Sequence, residues 1–282
     1  MTLREQFQLP IEALYNTSKI PADFHSHLDY EIYYFRSGKC TYLLGDKIYE
    51  LAPGDLILMN GMTLHYPKVD PRFEYCRNIV HFSSSFALEL FRPPYSTVGI
   101  LTPFEELRNV PIPLEPGDRE RLEPLLDRLC LLYERRDSLS HDLFLSGFSE
   151  LLLLIKEISN KPYAKHTFPV SAKQANVQRM ISYVESHFTE DITLEDLARD
   201  LHLNKFYMVK LFKETTGITL FHYLYQRRIN QAKVLFAMDP EHSVTAIAYE
   251  VGFKHGSHFS KTFKKYTGVS PESFRKRVQS NN

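Results

Sequence analysis

The chain has 282 residues, of which 43% are hydrophobic and 24% charged, and its net charge at pH 7 is zero. This length accommodates two domains, and the composition is that of an ordinary soluble globular protein. The longest run of Leu and Ile is Leu151–Ile155, far below the roughly 20 apolar residues of a membrane span. The sequence therefore predicts no membrane span.

Targeting and redox signals indicate a cytoplasmic protein. The first ten residues, MTLREQFQLP, contain no apolar stretch of the kind found in a secretory leader. Cys40, Cys76 and Cys130 lie far apart without a CxxC spacing, which is typical of reduced thiols rather than of a disulfide framework.

Charge is unevenly distributed along the chain. From Ser171 onward there are 16 Lys and Arg against 11 Asp and Glu, a net charge of +5, and the preceding part has 18 against 23, a net charge of −5. A basic C-terminal third on an acidic body favours a polyanionic partner for that third.

Up to about residue 82 the pattern predicts short strands. EIYYFR is rich in β-forming residues, CTYLLGDKIYEL predicts a hairpin that turns at Gly45 and Asp46, and YCRNIVHF alternates with Arg77 and His81 on one face. Several short strands at this spacing predict a small β-barrel or sandwich.

The segment HSHLDYE places His25, His27 and Glu31 at odd positions. On one β-strand that parity points all three side chains to the same side. Two imidazoles and one carboxylate also form a common metal-ligand set.

Two helices are predicted after the strands. Leu122, Leu125, Leu126, Leu129 and Leu132 follow the spacing of one helical face, and a second helix is expected over about 142–159. The helix pair either packs on the barrel or forms a dimer contact, and the wider apolar face of the second helix favours a homodimer. NKPYAKHTFPVSAKQ contains two prolines and predicts a linker.

A repeat follows the linker. LEDLARDLHL is similar to VTAIAYEVGF, and KLFKETTGIT is similar to KTFKKYTGVS, which begins 51 residues later. Each unit predicts a short helix, a turn and a second helix that ends at Gly217 or Gly268. Thr193 is expected to begin the first helix of the first unit, and Ser270 the last helix of the chain.

The second helix of each unit has one apolar face and one polar or basic face. Such a helix-turn-helix pair enters the major groove of DNA, and two units reach successive grooves. The alternative, a helical bundle with solvated lysines, does not explain two units in register. The predicted DNA-facing residues are Phe206, Val209, Lys210 and Lys213 in the first unit and Ser257, Ser260, Lys261 and Lys264 in the second.

Residues 177–277 resemble the DNA-binding domain of AraC-type transcription regulators, most clearly in AIAYEVGFKHGSHFSKTFKKYTGVSPESFR. The resemblance implies seven helices, with FHYLYQRRINQAKVLF joining the two units. It implies base contacts at Phe206, Val209, Lys210, Gly256, Ser257 and Lys261. Phe206 and Val209 are less polar than the residues often found at these positions, and they suit thymine methyl groups.

The family often carries an N-terminal cupin barrel, and His25 to Gly38 resembles the first cupin motif, with His65 supplied by the second. Three interpretations stay open for these residues: an effector pocket, for which the resemblance implies a sugar; a metal site of His25, His27, Glu31 and His65; or satisfied polar core residues. A cupin enzyme is a fourth, disfavoured by the attached DNA-binding domain. The predicted effector-binding residues are His25, His27, Glu31, Tyr33, His65, Arg77 and His81.

The sequence thus predicts an α+β multidomain protein. Residues 1–110 form a cupin-like effector-binding domain, 111–165 a helical coupling or dimerisation segment, and 172–282 an all-α domain with two helix-turn-helix units. The expected function is an effector-responsive, sequence-specific transcription regulator, an activator by resemblance, with no cofactor. The expected partners are double-stranded DNA, a sugar-type effector, a second copy of the chain and, for an activator, RNA polymerase.

Overall fold

The computed structural model describes residues 10–16, 24–27, 29–60, 62–107, 109–135, 137–161, 171–239 and 241–279. Most of the predicted linker, residues 162–170, lies outside this part of the chain. Its last residues do not belong to a linker, because Ser171 and Gln174 form a capping box that begins a helix.

Two antiparallel sheets form the N-terminal domain. Their strands are β1 (Ile11–Asn16), β2 (Tyr30–Ser37), β3 (Cys40–Leu44), β4 (Lys47–Leu51), β5 (Asp55–Met59), β6 (His65–Val69), β7 (Cys76–Phe82) and β8 (Ile112–Pro113). One sheet has the order β1-β7-β2-β5-β8 and the other β4-β3-β6. Leu44 pairs with Lys47, so the predicted hairpin between them is confirmed.

The two sheets face each other across a shared apolar core. Tyr33, Phe35 and Ile57 from the larger sheet meet Tyr42 and Leu44 from the smaller one, and all are buried. Alternation along β2 sends Ile32 and Tyr34 to the other side of the larger sheet. The arrangement is the flattened β-barrel that the cupin resemblance implied.

Four helices cover the outer face of the larger sheet. They are α1 (Ser84–Leu90), α2 (Thr102–Glu106), α3 (Pro116–Tyr133) and α4 (Ser138–Ser159). The five leucines predicted to form the core face of α3 are all buried there. Arg36 points to this side and donates to Asp127 Oδ1 at 2.6 Å. The helix pair therefore packs within the subunit.

Helix α4 begins four residues earlier than the apolar pattern predicted. The Asp137 side chain accepts from Ser140 N at 2.8 Å, and a capping aspartate sets a start that hydrophobic periodicity does not reveal. Among the described helices, α4 alone is long and apolar enough to span a membrane by length and composition. Its Phe144, Phe148 and Leu151 are completely buried in the protein, so it serves as a core helix.

Seven helices form the described part of the C-terminal domain, as the resemblance implied. They are α5 (Ala172–His187), α6 (Leu194–Leu201), α7 (Lys205–Thr216), α8 (Leu220–Met238), α9 (Val244–Glu250), α10 (Gly256–Thr267) and α11 (Pro271–Gln279). Gly217 and Gly268 end α7 and α10 with φ of 85° and 77°. Thr193 caps α6 by accepting from Asp196 N, which confirms its predicted role.

The two domains are in contact through what we call the domain interface. Leu43 and Leu64 of the barrel join the core of the first helix-turn-helix unit, where they pack with residues such as Met180 and Tyr223. Tyr223 Oη also donates to Gly45 O at 3.2 Å. The outer face of the smaller sheet is thus covered by the DNA-binding domain rather than by solvent.

Candidate effector cavity and nucleic-acid interface

A cavity of about 170 Å³ lies between the two sheets, and we call it the effector cavity. It is lined by Leu14, His25, Glu31, Tyr33, Tyr42, His65, Pro67, Arg77, Ile79 and His81. Six of the seven predicted effector residues are therefore brought together here. His27 is the seventh, and it contacts the cavity through Glu31.

The strand-parity reason for grouping His25, His27 and Glu31 is wrong. Strand β2 starts only at Tyr30, so the two histidines precede it in an irregular segment. His25 joins the site through a β-bridge to His65, with N–O distances of 3.1 and 3.0 Å. Backbone pairing with β6, which sequence parity does not reveal, holds His25 in place.

A single carboxylate oxygen organises the cavity. Oε2 of Glu31 lies 3.0 Å from His27 Nε2, 3.0 Å from His81 Nε2 and 3.3 Å from His65 Nε2. Glu31 is buried at 2% exposure. Burial alone raises the pKa of Glu31, but the nearby His65 and the hydrogen bonds from His27 and His81 hold it well below its usual value.

His81 stands between two carboxylates. Its Nδ1 lies 3.4 Å from Glu12 Oε2, on the opposite side of the ring from Glu31. Burial lowers the pKa of His81, but the hydrogen bonds to Glu12 and Glu31 outweigh it and raise that pKa to about 9. The imidazole is consequently a cation at neutral pH, and it balances the Glu31 charge.

Backbone carbonyls fix the protonation of two other imidazoles. His27 Nδ1 lies 2.8 Å from Asp29 O, and His65 Nδ1 lies 2.9 Å from Thr63 O. A carbonyl only accepts, so Nδ1 carries the proton in both rings. The Nε2 atom of each ring then faces the Glu31 carboxylate, at 3.0 Å for His27 and 3.3 Å for His65. Metal-binding histidines are held by such Nδ1–H bonds.

The same side chains fit a divalent metal ion. Two groups have ligand atoms within 4.8 Å of one another, and they are His25, His27 and His65, and His27, Glu31 and His81. Imidazole and carboxylate ligands suit zinc and similar transition metals. His81 is thereby added to the ligand set that the sequence predicted as an alternative.

Polar and aromatic side chains complete the cavity wall. The guanidinium of Arg77, at 3% exposure, lies 4.9 Å from the ring centroid of Tyr75. Tyr33 and Tyr75 share a hydrogen bond of 2.8 Å. Tyr42 and Glu12 were missed by the sequence analysis. Alternation along CTYLL was the signal for Tyr42, whereas Glu12 is placed by the pairing of β1 with β7.

The predicted DNA-facing residues of the first unit lie on one exposed face of α7. Asn204 begins this helix by accepting from Phe206 N and Tyr207 N. Phe206 is 76% exposed and Val209 39% exposed, and Lys210 and Lys213 are also exposed. The opposite face carries the buried core residues, so α7 is free to present this surface to a groove.

The second unit repeats the arrangement on α10. Ser257, Lys261 and Lys264 are exposed, and Gly256 is half-buried at the start of the helix. Phe259 and Phe263 form the buried face, as predicted. A serine, a glycine and two lysines give α10 a small, polar and basic outer surface.

Glu31→Gln tests the electrostatic role of the buried carboxylate. Removing the carboxylate leaves the His81 imidazolium without its buried counter-charge, so we expect a loss of about 3–5 kcal/mol in unfolding free energy. Urea unfolding of the full chain at pH 7 in EDTA measures this loss. Glu12→Gln is the matched control, since Glu12 is 30% exposed and exposed pairs contribute about 1 kcal/mol or less. Equal or greater stability of Glu31→Gln contradicts the assignment.

Two family models match the chain. A helix-turn-helix domain model matches residues 197–277, and an AraC-like ligand binding domain model matches residues 8–153, more than half of the chain. Among solved structures, an apo variant of ToxT from Vibrio cholerae covers 95% of this chain and 98% of its own, at 16% identity and a TM-score of 0.39.

Several curated proteins are similar to the chain. The Msm operon regulatory protein of Streptococcus mutans is 32% identical over 111 residues, which are 39% of this chain and 40% of the relative. The melibiose operon regulatory protein of Escherichia coli is 29% identical over 180 residues, which are 64% of this chain and 55% of the relative. These alignments cover about half the length of either relative. YdeC of Bacillus subtilis, an uncharacterised regulator, is 23% identical over 98% of this chain and 95% of its own length. With both domains matched, the chain belongs to the AraC family of DNA-binding transcription regulators that carry an N-terminal ligand-binding domain.

Proposed function

We propose that the chain is an effector-responsive regulator whose two helix-turn-helix units bind a promoter or operator. The effector binds in the effector cavity, and the chain itself catalyses no reaction. In this proposal residues 1–110 sense the effector, 111–165 couple or dimerise, and 172–282 bind DNA. The response to the effector is supported by one observation: strand β6 lies between the cavity and α7, the recognition helix of the first unit.

Strand β6 contacts the effector cavity with one face and the DNA-binding domain with the other. His65 and Pro67 line the cavity. Tyr66 packs into the core of the first helix-turn-helix unit, and Lys68 Nζ donates to Thr215 O at 3.0 Å and to Glu214 O. An ammonium at the C-terminal end of a helix is favourably placed in the helix dipole. Movement of β6 on effector binding therefore changes a contact of α7.

A second connection runs from the cavity to α8, the helix that joins the two units. Lys233 Nζ donates to Ser26 Oγ at 2.6 Å, and Ser26 lies between two cavity histidines in the sequence. Asn230 Nδ2 donates to Met62 O at 3.0 Å. Burial lowers the pKa of Lys233 to about 8. The hydrogen bond to Ser26 therefore helps to stabilise its charged form. An effector shifts the domain arrangement only by binding one arrangement more tightly than the other.

The chemistry of the cavity favours a small carbohydrate. Carboxylate, imidazole, guanidinium and phenol groups offer donors and acceptors to hydroxyl groups, and Tyr42 and Tyr33 offer aromatic faces. The cavity volume of about 170 Å³ is below the roughly 300 Å³ of sites for drug-sized ligands, so a single sugar ring is the expected size. One similar protein is named for the melibiose operon, which agrees with this class.

Dimerisation, activation and cytoplasmic location complete the proposal. Leu131, Leu139, Leu143 and Leu153 are 65%, 67%, 49% and 45% exposed on α3 and α4, and a second copy of the chain would cover them. We assign activation, with RNA polymerase as the further partner, from the family resemblance to regulators of sugar use. Free buried thiols at Cys40 and Cys76 suit the reducing cytoplasm.

Replacing Lys210 or Lys261 by Ala should weaken DNA binding without unfolding the protein. Each substitution removes one positive group from a groove-facing surface, and we expect a loss of about 1–3 kcal/mol if the lysine reads a base. Fluorescence anisotropy with a duplex selected from a random pool measures the affinity, at two salt concentrations.

Lys173→Ala is the matched control because Lys173 is exposed in the first turn of α5 and belongs to neither recognition helix. It should change the affinity by less than either recognition-helix substitution. A folded Lys210→Ala or Lys261→Ala protein that binds with unchanged affinity and sequence preference would count against the groove assignment.

A metal-binding sensor is the second candidate function. It is favoured by the Nδ1–H bonds that turn the Nε2 atoms of His27 and His65 towards Glu31. A bound divalent ion would supply a fixed positive charge at this carboxylate. The residues that would hold it are His25, His27, Glu31, His65 and His81.

Thermal unfolding of the full chain distinguishes the two candidates. A panel of mono- and oligosaccharides is tested with and without EDTA, and a ligand at 100 times its Kd should add about 2.7 kcal/mol of stability. A sugar-specific rise that EDTA leaves unchanged supports the effector cavity. A fall with EDTA that a divalent ion restores supports the metal sensor.

His65→Ala should remove the sugar-dependent rise and the response of DNA binding while DNA affinity without sugar is retained. His242→Ala is its control, since His242 lies in the DNA-binding domain near Glu250. An unaltered dose–response in His65→Ala would remove His65 from the effector cavity.

A further inference from the structure

The two recognition helices carry the same lysines in the same places. Helix α10 follows α7 with an offset of 51 positions, so Lys210 corresponds to Lys261 and Lys213 to Lys264. All four are exposed. Basic contacts to DNA phosphates or guanines are therefore available to both units, although Glu214 lies 3.8 Å from Lys210 where the second unit has Lys265.

The two units differ at the remaining positions of the same face. The first has Phe206 and Val209, and the second has Ser257 and Ser260 at the corresponding positions. The chain thus presents one apolar and one hydroxyl-bearing version of a single recognition surface. At these two positions, therefore, apolar side chains in the first unit stand where the second unit has hydroxyl groups.

Folding does not account for Phe206. The core of the first unit is filled by Met208, Leu211 and Phe212 on the opposite side of α7, whereas Phe206 is 76% exposed. Phe206 and Val209 instead line a concave surface together with Leu194 of α6. Exposed apolar surface of this kind is typical of a binding site.

The first turn of α7 holds this apolar surface in position. Asn204 accepts from the backbone N of Phe206 at 2.9 Å, which fixes the start of the helix. Lys205 Nζ lies 5.6 Å from the Phe206 ring centroid and 3.0 Å from Glu195 Oε1. Lys205 is thus paired with Glu195, and Phe206 stays largely exposed at the start of the helix.

We propose that α7 reads the 5-methyl groups of thymine through Phe206 and Val209, whereas α10 reads base edges through the hydroxyls of Ser257 and Ser260. The inference rests on the proposed DNA-binding function and specifies its sequence readout. The N-terminal part of a recognition helix contacts bases in the major groove. There thymine presents an apolar methyl group that suits Phe, and serine hydroxyls pair with either donors or acceptors. The DNA site bound by one chain is therefore asymmetric, with thymines under the first unit.

DNA explains this apolar surface better than a protein partner does. Lys210 and Lys213 flank Phe206 and Val209 on the same face, in positions that α10 also fills with lysine. A purely protein-binding surface has no need of that shared basic frame. A protein partner remains one outcome of the test below, in which methyl groups of the DNA have no effect.

Deoxyuridine substitution tests the proposal, because it removes only the methyl group of thymine. The full chain is used to select a duplex from a random pool. The bases under each helix-turn-helix unit form one half-site, and the thymines of each half-site are then replaced in turn. We expect the Kd to rise about fourfold for each contacted thymine, the equivalent of about 0.8 kcal/mol for a buried methyl group. The rise should be confined to one half-site.

Matched variants assign that half-site to α7. The double substitution Phe206→Ser with Val209→Ser gives the first unit the serines of the second, and it should make the Kd insensitive to deoxyuridine. Ser257→Phe with Ser260→Val should create sensitivity in the other half-site. Deoxyuridine without effect on the wild-type chain, or an equal effect on the Phe206→Ser, Val209→Ser variant, overturns the proposal. Selection that enriches no duplex contradicts the proposed function itself, so the two failures are distinguishable.

Discussion

Successive side chains of a β-strand point to opposite faces, and in β6 this alternation places an effector cavity and a recognition helix on two sides of one strand. His65 is buried beside Glu31, and Lys68 reaches the last turn of α7. The strand is confined on both faces, by the inter-sheet core and by the DNA-binding domain. A packed element of this kind does not deform gradually, so a change on one face must be accommodated on the other.

Long, strongly patterned elements were predictable from the sequence. The leucine face of α3, the glycine ends of α7 and α10 and the duplicated units follow from spacing and capping residues, and the structure confirms them. The start of α4 was not predictable from apolar spacing, since a capping aspartate determines it. For the effector cavity, residue types were predicted while their geometry was not. His25 arrives through a bridge to β6 and Glu12 through the pairing of β1 with β7, and both are long-range contacts without a local signal.

The cavity and the DNA-facing surface differ in how their charges are placed. In the cavity, the buried carboxylate of Glu31 is balanced by imidazoles. A hydroxyl group or a cation can bind Glu31 only by replacing one of these imidazole contacts. On the DNA-facing surface, four exposed lysines provide long-range attraction, which salt screens. In our proposal, sequence preference then depends on the short-range chemistry of Phe206 and Ser257 at corresponding positions of the two units.

In our proposal, Lys68 of β6 couples the effector cavity to α7. The direct test is the reciprocal linkage between ligands: the Kd of the stabilising sugar is measured by calorimetry with and without saturating duplex, for the wild-type chain and for Lys68→Met. The wild-type ratio of the two Kd values should lie in the range of about 5- to 150-fold typical of allosteric coupling. In Lys68→Met the ratio should fall well below the wild-type ratio, because only the connection through Lys233 and Ser26 is left. Sugar affinity in the absence of DNA should be retained. A ratio that is unchanged in Lys68→Met would contradict coupling through β6.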